Sequence, residues 1–190
     1  MMEKIKAILS ASHEVTARFV ETEGPKILSL VEKTCEVFRN GGKLLVFGNG
    51  GSAADAQHLA AELVNRFKRE RTPLPALALT TDTSILTAVA NDYDFSLVFV
   101  KQIEALGRAG DIALGISTSG RSPNVLKALA RARELGLFTV GLTGGTGGGM
   151  PEVSDLVITV PSEETPRIQE GHLLFIHVFS ELIEEAYFGK

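Results

Sequence analysis

From Lys43 onward the chain alternates short apolar runs with helical segments, and this alternation restricts the fold more than any other feature. Leu44–Phe47, Ala76–Leu79, Ile112–Ile116, Phe138–Leu142 and Leu156–Val160 are five such runs. Each is too short for an ordinary helix and apolar at nearly every position, as expected of a strand buried on both faces. Helical spacing predicts helices over about 53–67, 82–90, 95–106 and 122–135, and a closing helix over about 166–187. Repeated strand–helix units predict an α/β fold, a three-layer α/β/α sandwich on a five-stranded parallel sheet. In such sheets ligands bind outside the carboxyl ends of the strands. The segments to inspect are therefore 48–52, 80–82, 117–122 and 143–149.

The first forty residues read as two helices. Ile5, Ile8, Leu9, Ser12, Val15 and Phe19 follow helical spacing, and Gly24-Pro25 breaks it. Ile27, Leu28, Leu30, Val31, Cys35 and Phe38 resume it until Asn40-Gly41-Gly42. Residues 1–40 thus form a helical extension to a core of 41–190, all within one domain. With 190 residues, 44% of them hydrophobic, the chain can bury one substantial core and is too apolar for disorder. The extension still needs an apolar partner, which another subunit would supply.

Charge and cysteine usage exclude some functions. Lys+Arg number 19 against 23 Asp+Glu, a net charge of −4 without a basic block, which argues against direct nucleic-acid binding. A single cysteine, Cys35, rules out an intramolecular disulfide and reads as a small buried residue. No apolar run reaches the roughly 20 residues of a membrane span. Behind Met1–Lys6 there is no apolar signal core, so the expectation is a cytoplasmic protein with no membrane partner.

Two strand ends carry anion-binding chemistry. Ser117-Thr118-Ser119-Gly120-Arg121-Ser122-Pro123 places four hydroxyls within six residues at a strand-to-helix turn. Hydroxyls, backbone N–H groups and the positive end of a helix dipole are the parts of a phosphate site. Ser122 also reads simply as the helix cap. Gly48-Asn49-Gly50-Gly51-Ser52 makes a second such turn, with Ser52 readable as its cap. Thr143–Met150 is rich in glycine and reads as a flexible loop, with no ligand contact assigned to it.

Titratable groups suggest a reaction centre. His58 and Glu62 are four apart on one helix and share a face, with Arg66 a further four on. The closing helix carries Gln169 and His177, slightly over two turns apart, and His172 as a rival. That helix is otherwise apolar and therefore buried, so its polar groups need partners. The N and O donors of His58, Glu62, Gln169 and His177 suit zinc, although spacing alone does not bring them together.

The segments Phe47–His58, Ala90-Asn91-Asp92-Tyr93, Ile116–Asn124 and Arg167–His172 resemble the phosphoheptose isomerases of the sugar-isomerase (SIS) fold, a flavodoxin-like architecture. The likeness runs from about Lys43 to Tyr187, and the leading helices are similar to that family's extension. The resemblance implies an aldose–ketose isomerase converting sedoheptulose 7-phosphate to D-glycero-D-manno-heptose 7-phosphate through an enediol. That is the entry step to nucleotide-activated heptose for bacterial surface polysaccharide, including lipopolysaccharide. It implies that Ser117, Thr118, Ser119 and Ser122 hold the phosphate, and that Asn49, Gly50, Ser52 and Asp92 hold the sugar, with Glu62 and Gln169 also at the substrate. It implies one zinc per subunit on His58, Glu62, Gln169 and His177, an acid–base pair of Glu62 and His177, and a homotetramer. A carboxylate bound tightly to zinc is a weaker base, so Glu62 would have to loosen or His177 would carry most of the proton transfer.

Two other readings follow from the same fold. Non-catalytic tetramers that bind the bacterial replication initiator resemble this chain at Asn65-Arg66-Phe67, Leu74–Leu79 and Asn91-Asp92, but lack the acidic residue and second histidine of the acid–base pair. A regulatory module that binds a sugar phosphate without turnover would explain the hydroxyls but leave Glu62 and His177 without a purpose.

Overall fold

The computed structural model describes residues 1–189. Its elements, in chain order, are α1 (Met2–Arg39), β1 (Leu44–Gly48), α2 (Gly51–Val64), β2 (Ala76–Ala78), α3 (Thr83–Asp92), a 3₁₀ turn (Phe95–Leu97), α4 (Val98–Leu106), β3 (Ile112–Ile116), α5 (Pro123–Glu134), β4 (Phe138–Gly144), α6 (Met150–Val153), β5 (Leu156–Val160) and α7 (Thr165–Phe188). The five strands form one parallel sheet in the order β2-β1-β3-β4-β5. This is the flavodoxin-like order, whose direction of winding reverses between β1 and β3. There Gly48 lies opposite Ile116, so the two strand ends lead side by side into the two segments with anion-binding chemistry.

Alternation along the strands divides the core in two. Leu44 and Val46 of β1, with Ile112, Leu114, Val140, Leu142, Ile158 and Val160, pack under α1, α2 and α7. Leu45 and Phe47 point the other way, into a second cluster with Val98, Phe99, Ile103, Val125 and Leu129 from α4 and α5. Every residue of β1 and β3 is buried, which is why these strands read as unbroken apolar runs.

The amino-terminal region departs from the sequence reading. It is one helix of 38 residues, not two, and Pro25 lies inside it. Proline at position 25 has no N–H to offer Glu21, a loss of about 3 kcal/mol in a helix interior. Gly24 has no Cβ to collide with the proline ring, so it can stay helical. Phe19, Glu23, Ile27, Leu30, Val31, Thr34, Cys35 and Phe38 are all buried, and this stripe keeps its phase across residues 24–25. Burying Phe19, Ile27 and Leu30 at about 1.5–3 kcal/mol each outweighs the missing hydrogen bond. The stripe packs along α7 and β5. At β5 the Glu23 carboxylate accepts the Thr159 N–H (3.2 Å), Lys26 donates to the Val157 carbonyl (3.1 Å), and Arg18 donates to the Pro161 carbonyl.

Candidate active site

The hydroxyl-rich segment leaves β3 and enters α5. Ser117 is buried, and its hydroxyl lies 3.0 Å from that of Ser122. Ser122 occupies the cap position without capping the helix through its side chain, so the simple capping role is not the one it plays. Thr118 is half-buried and Ser119 exposed, and both face an open depression of about 320 Å³. Arg121, Gly144, Gly145, Thr146, Ser162 and Glu163 also border it.

The glycine-rich segment after β4 forms one wall of this depression, a contact the sequence reading did not assign. The Gly144 N–H donates to the Thr118 carbonyl (3.1 Å), and the Gly149 N–H to the Gly120 carbonyl (2.9 Å). Gly120 has φ +62°, and a Cβ there would collide with the Gly147 carbonyl. Gly148, with φ +56°, would meet Gly120 in the same way. Here glycine permits two backbones to touch.

At the neighbouring strand end, Gly50 takes φ +56° and caps α2; Ser52 is buried in the first turn and makes no side-chain capping bond. Asn49 exchanges a reciprocal pair of amide hydrogen bonds with Asn124 (2.9 and 2.8 Å). Asn124 is buried and also accepts the Val125 N–H (3.0 Å), so it fixes Asn49 across the β1–β3 crevice. It stood unassigned in the sequence because its partner is 75 residues away. Asp92 is not brought to this crevice by the contacts of one chain: it is exposed, and its carboxylate accepts the Asn91 amide (2.8 Å).

The titratable residues lie on the seam where α2 packs against α7. His58 Nε2 is 2.9 Å from a Glu62 carboxylate oxygen, and both side chains are partly exposed. The His177 ring meets the His58 ring edge-on, with centroids 5.2 Å apart, and also lies against the Phe67 ring at 5.7 Å. His58, Glu62 and His177 are therefore gathered at one end of the seam. Gln169 is at the other end, its amide against Gly51. Its backbone is about 12 Å along α7 from that of His177. Between the two ends, Asp55 borders a cleft of about 440 Å³ with Gly51, Gln169 and Glu170. Burial pushes the Asp55 carboxyl above its usual range, and His58 opposes that shift.

His172 proves to be a core residue. It is fully buried, and its Nε2–H donates to the Thr143 carbonyl (3.1 Å), while Nδ1 has no partner. Burial lowers its pKa to about 4, against a weaker opposing effect of that hydrogen bond. The imidazole is neutral near pH 7, and the contest with His177 for a role at the seam is settled by the direction each ring faces.

For a metal ion the donor chemistry is suitable but the placement in one chain is not. Among the described residues no three His, Cys, Asp or Glu side chains are grouped to hold one, and Gln169 is turned toward Gly51. Within one chain Gln169, against Gly51, stands apart from His58, Glu62 and His177, the other three residues named for zinc.

The SIS domain family model matches residues 9–144. The phosphoheptose isomerase of Geotalea daltonii is 55% identical over 190 residues, covering 100% of this chain and 99% of the relative. That of Aquifex aeolicus is 52% identical over 185 residues, 97% of each chain. Among solved structures, the phosphoheptose isomerase of Neisseria gonorrhoeae superposes with a TM-score of 0.92 at 42% identity, covering 97% of this chain and 98% of that one. These matches span nearly the whole chain, and the chain belongs to the phosphoheptose isomerase family of SIS-domain proteins.

Proposed function

We propose that this isomerase interconverts sedoheptulose 7-phosphate and D-glycero-D-manno-heptose 7-phosphate by proton transfer through an enediol. The observation that carries the reading is the approach of Glu62 and His177, from two different helices, to the same His58 ring on the α2–α7 seam. A ketose becomes an aldose when a base removes the C1 proton, the C1–C2 double bond forms and O2 takes up a proton. The O1 proton is then lost as the C1 carbonyl forms, and C2 is reprotonated. A carboxylate and an imidazole can serve both directions near neutral pH. His58 holds the Glu62 carboxylate from one side and leaves its second oxygen for the substrate. The hydroxyls of Ser117, Thr118, Ser119 and Ser122, at the amino end of α5, suit a phosphate.

Glu62→Gln keeps the shape and removes the base. It should lower kcat by about 10²–10⁴-fold while the variant elutes as the parent does on gel filtration. Full activity in that variant would take Glu62 out of the mechanism. The non-catalytic readings give no purpose to Glu62 and His177 gathered about His58; a well-folded protein inert toward the sugar, but retaining the replication initiator in a pull-down, would restore the first of them.

Other parts of the reading rest on the family likeness. Zinc on His58, Glu62, Gln169 and His177 is proposed from donor chemistry alone, and because one chain does not gather the four, no step is derived through it. Stoichiometric zinc retained through gel filtration, and lost in His58→Ala, would support it; protein emerging metal-free from zinc-supplemented buffer would remove it. A homotetramer would cover Ile5, Ile8, Leu9 and Leu28 of α1, each at least 47% exposed in the single chain. Light scattering tests the tetramer. No helix among the described residues is long and apolar enough to cross a membrane. A cytoplasmic enzyme supplying heptose for surface polysaccharide fits the reading.

A further inference from the structure

The segment between α2 and β2 is tied to α7 by one buried carboxylate, with a more exposed Lys68–Glu181 ion pair (2.7 Å) beside it. Glu184, on the second-last turn of α7 and about two turns beyond His177, is 1% exposed. One of its oxygens accepts the Phe67 N–H (2.9 Å), and the other accepts the N–H groups of Lys68 (2.9 Å) and Arg69 (3.0 Å). The Arg71 guanidinium, 3% exposed, donates to it as well (3.1 Å). Desolvation pushes the Glu184 carboxyl up, but these four donors outweigh it and hold it below the ordinary glutamate range.

Both ends of this knot reach the catalytic pair. Arg71 donates its remaining N–H groups to the Glu62 carbonyl (2.7 Å) and the Leu63 carbonyl (2.5 Å), at the C-terminal turn of α2. A cation there satisfies free carbonyls and complements the helix dipole. The backbone of Glu62 is thus held from outside its own helix. At the other end, the first N–H that Glu184 accepts belongs to Phe67, whose ring lies against His177 with the planes 32° apart.

We propose that Glu184 is a positioning residue that, through Arg71 and Phe67, sets the placement of Glu62 relative to His177. Its geometric part stands on the contacts alone; its consequence for turnover rests on the proposed isomerase reaction. A carboxylate has four lone-pair directions, and here four donors converge on it, so the segment has one way to sit. Misplacing an acid–base pair by an ångström can cost about 100-fold in rate without touching substrate affinity.

Two variants test this on the full chain. Glu184→Gln keeps the size but turns an acceptor into a donor facing N–H groups. Phe67→Leu removes the ring from His177 and leaves the knot. Each should lower kcat by about 10–100-fold with KM within about twofold. Phe67→Tyr, which retains the ring, should restore most of kcat. A readout independent of substrate is the ring spectrum of the four histidines, with His177 assigned from His177→Gln. The His177 resonances should move in Glu184→Gln in the same direction as in Phe67→Leu, while those of His13 stay. A Glu184→Gln protein with a lowered Tm but unmoved His177 resonances and parental kcat would overturn the proposal and leave a structural ion pair. Should Glu184→Gln not fold, unmoved His177 resonances and full kcat in Phe67→Leu would overturn it equally. If the parent does not turn over sedoheptulose 7-phosphate, the proposed function fails and the resonances alone decide this inference.

Discussion

His172 couples the stability of the fold to pH. Its imidazole is fully buried, and its one hydrogen bond is to a backbone carbonyl, which the neutral Nε2–H tautomer satisfies. Charging it would place a second proton on Nδ1, which has no acceptor. The pKa is about 4 in the folded chain against 6.5 for the free side chain. The sign follows from where the proton binds first. Below pH 6.5 the unfolded chain takes it up while the folded chain does not, so stability is complete above 6.5 and is lost as pH falls toward 4. Between pH 8 and pH 4.5 the two values give a loss of about 2–3 kcal/mol from this residue. The assay is urea unfolding at fixed protein concentration at both pH values, for the parent and for His172→Gln. A glutamine amide can still donate to the Thr143 carbonyl but cannot take up the proton. Carboxylates such as Glu184 also lose stability on acidification, but they are present in both proteins and cancel in the comparison. The variant should start less stable at pH 8 and lose about 2–3 kcal/mol less than the parent on reaching pH 4.5. An equal loss in both proteins would refute the assignment of a buried, neutral His172.

Three further outcomes follow from the strand ends and α1. Gly120→Ala forces a side chain onto the Gly147 carbonyl at a positive φ; it should destabilise the chain by more than about 1 kcal/mol and raise KM, as thermal melts and initial rates will show. Ser119→Ala removes an exposed hydroxyl from the depression beside α5; it should mainly raise KM, because phosphate contacts act in ground and transition states alike, and an unchanged KM would count against the phosphate site. Deleting residues 1–40 uncovers Phe19's partners on α7 and leaves β5 without α1; the truncated chain should be poorly soluble, and a monodisperse product on gel filtration would contradict this.

The parts of the fold that were legible in the sequence were those determined by local pattern. β3 and β5 begin and end where their apolar runs do, and the sheet class follows from strands read as buried on both faces. At the seam, His58 and Glu62 were recognisable because a four-residue spacing makes them neighbours on one helix. What escaped depends on distant partners. The continuity of α1 through Pro25 is decided by α7 and β5, more than a hundred residues on. Asn124 acquires its role from Asn49, and Glu184 from N–H groups 115–117 residues earlier. The glycines after β4 signalled backbone freedom, but the reason for it, contact with Gly120, lies on another loop. Gln169 shows the converse: its spacing from His177 suggested a shared face, yet two turns of helix keep their backbones about 12 Å apart.

The side chains that α1 sends to β5 also determine how copies of this chain can aggregate. A sheet grows when an outer strand offers unpaired N–H and C=O groups to a strand of another molecule. Along β5 and the residue after it, Glu23 already takes the Thr159 N–H, while Lys26 and Arg18 take the carbonyls of Val157 and Pro161. An incoming strand would have to displace two cations and a carboxylate and lift the apolar stripe of α1 away with them. The opposite edge, β2, offers three residues. Strand-by-strand polymerisation is thus closed on one side and short on the other, so orderly association is directed to helical surfaces, and the fibril-prone form of this protein is the one in which α1 has peeled off.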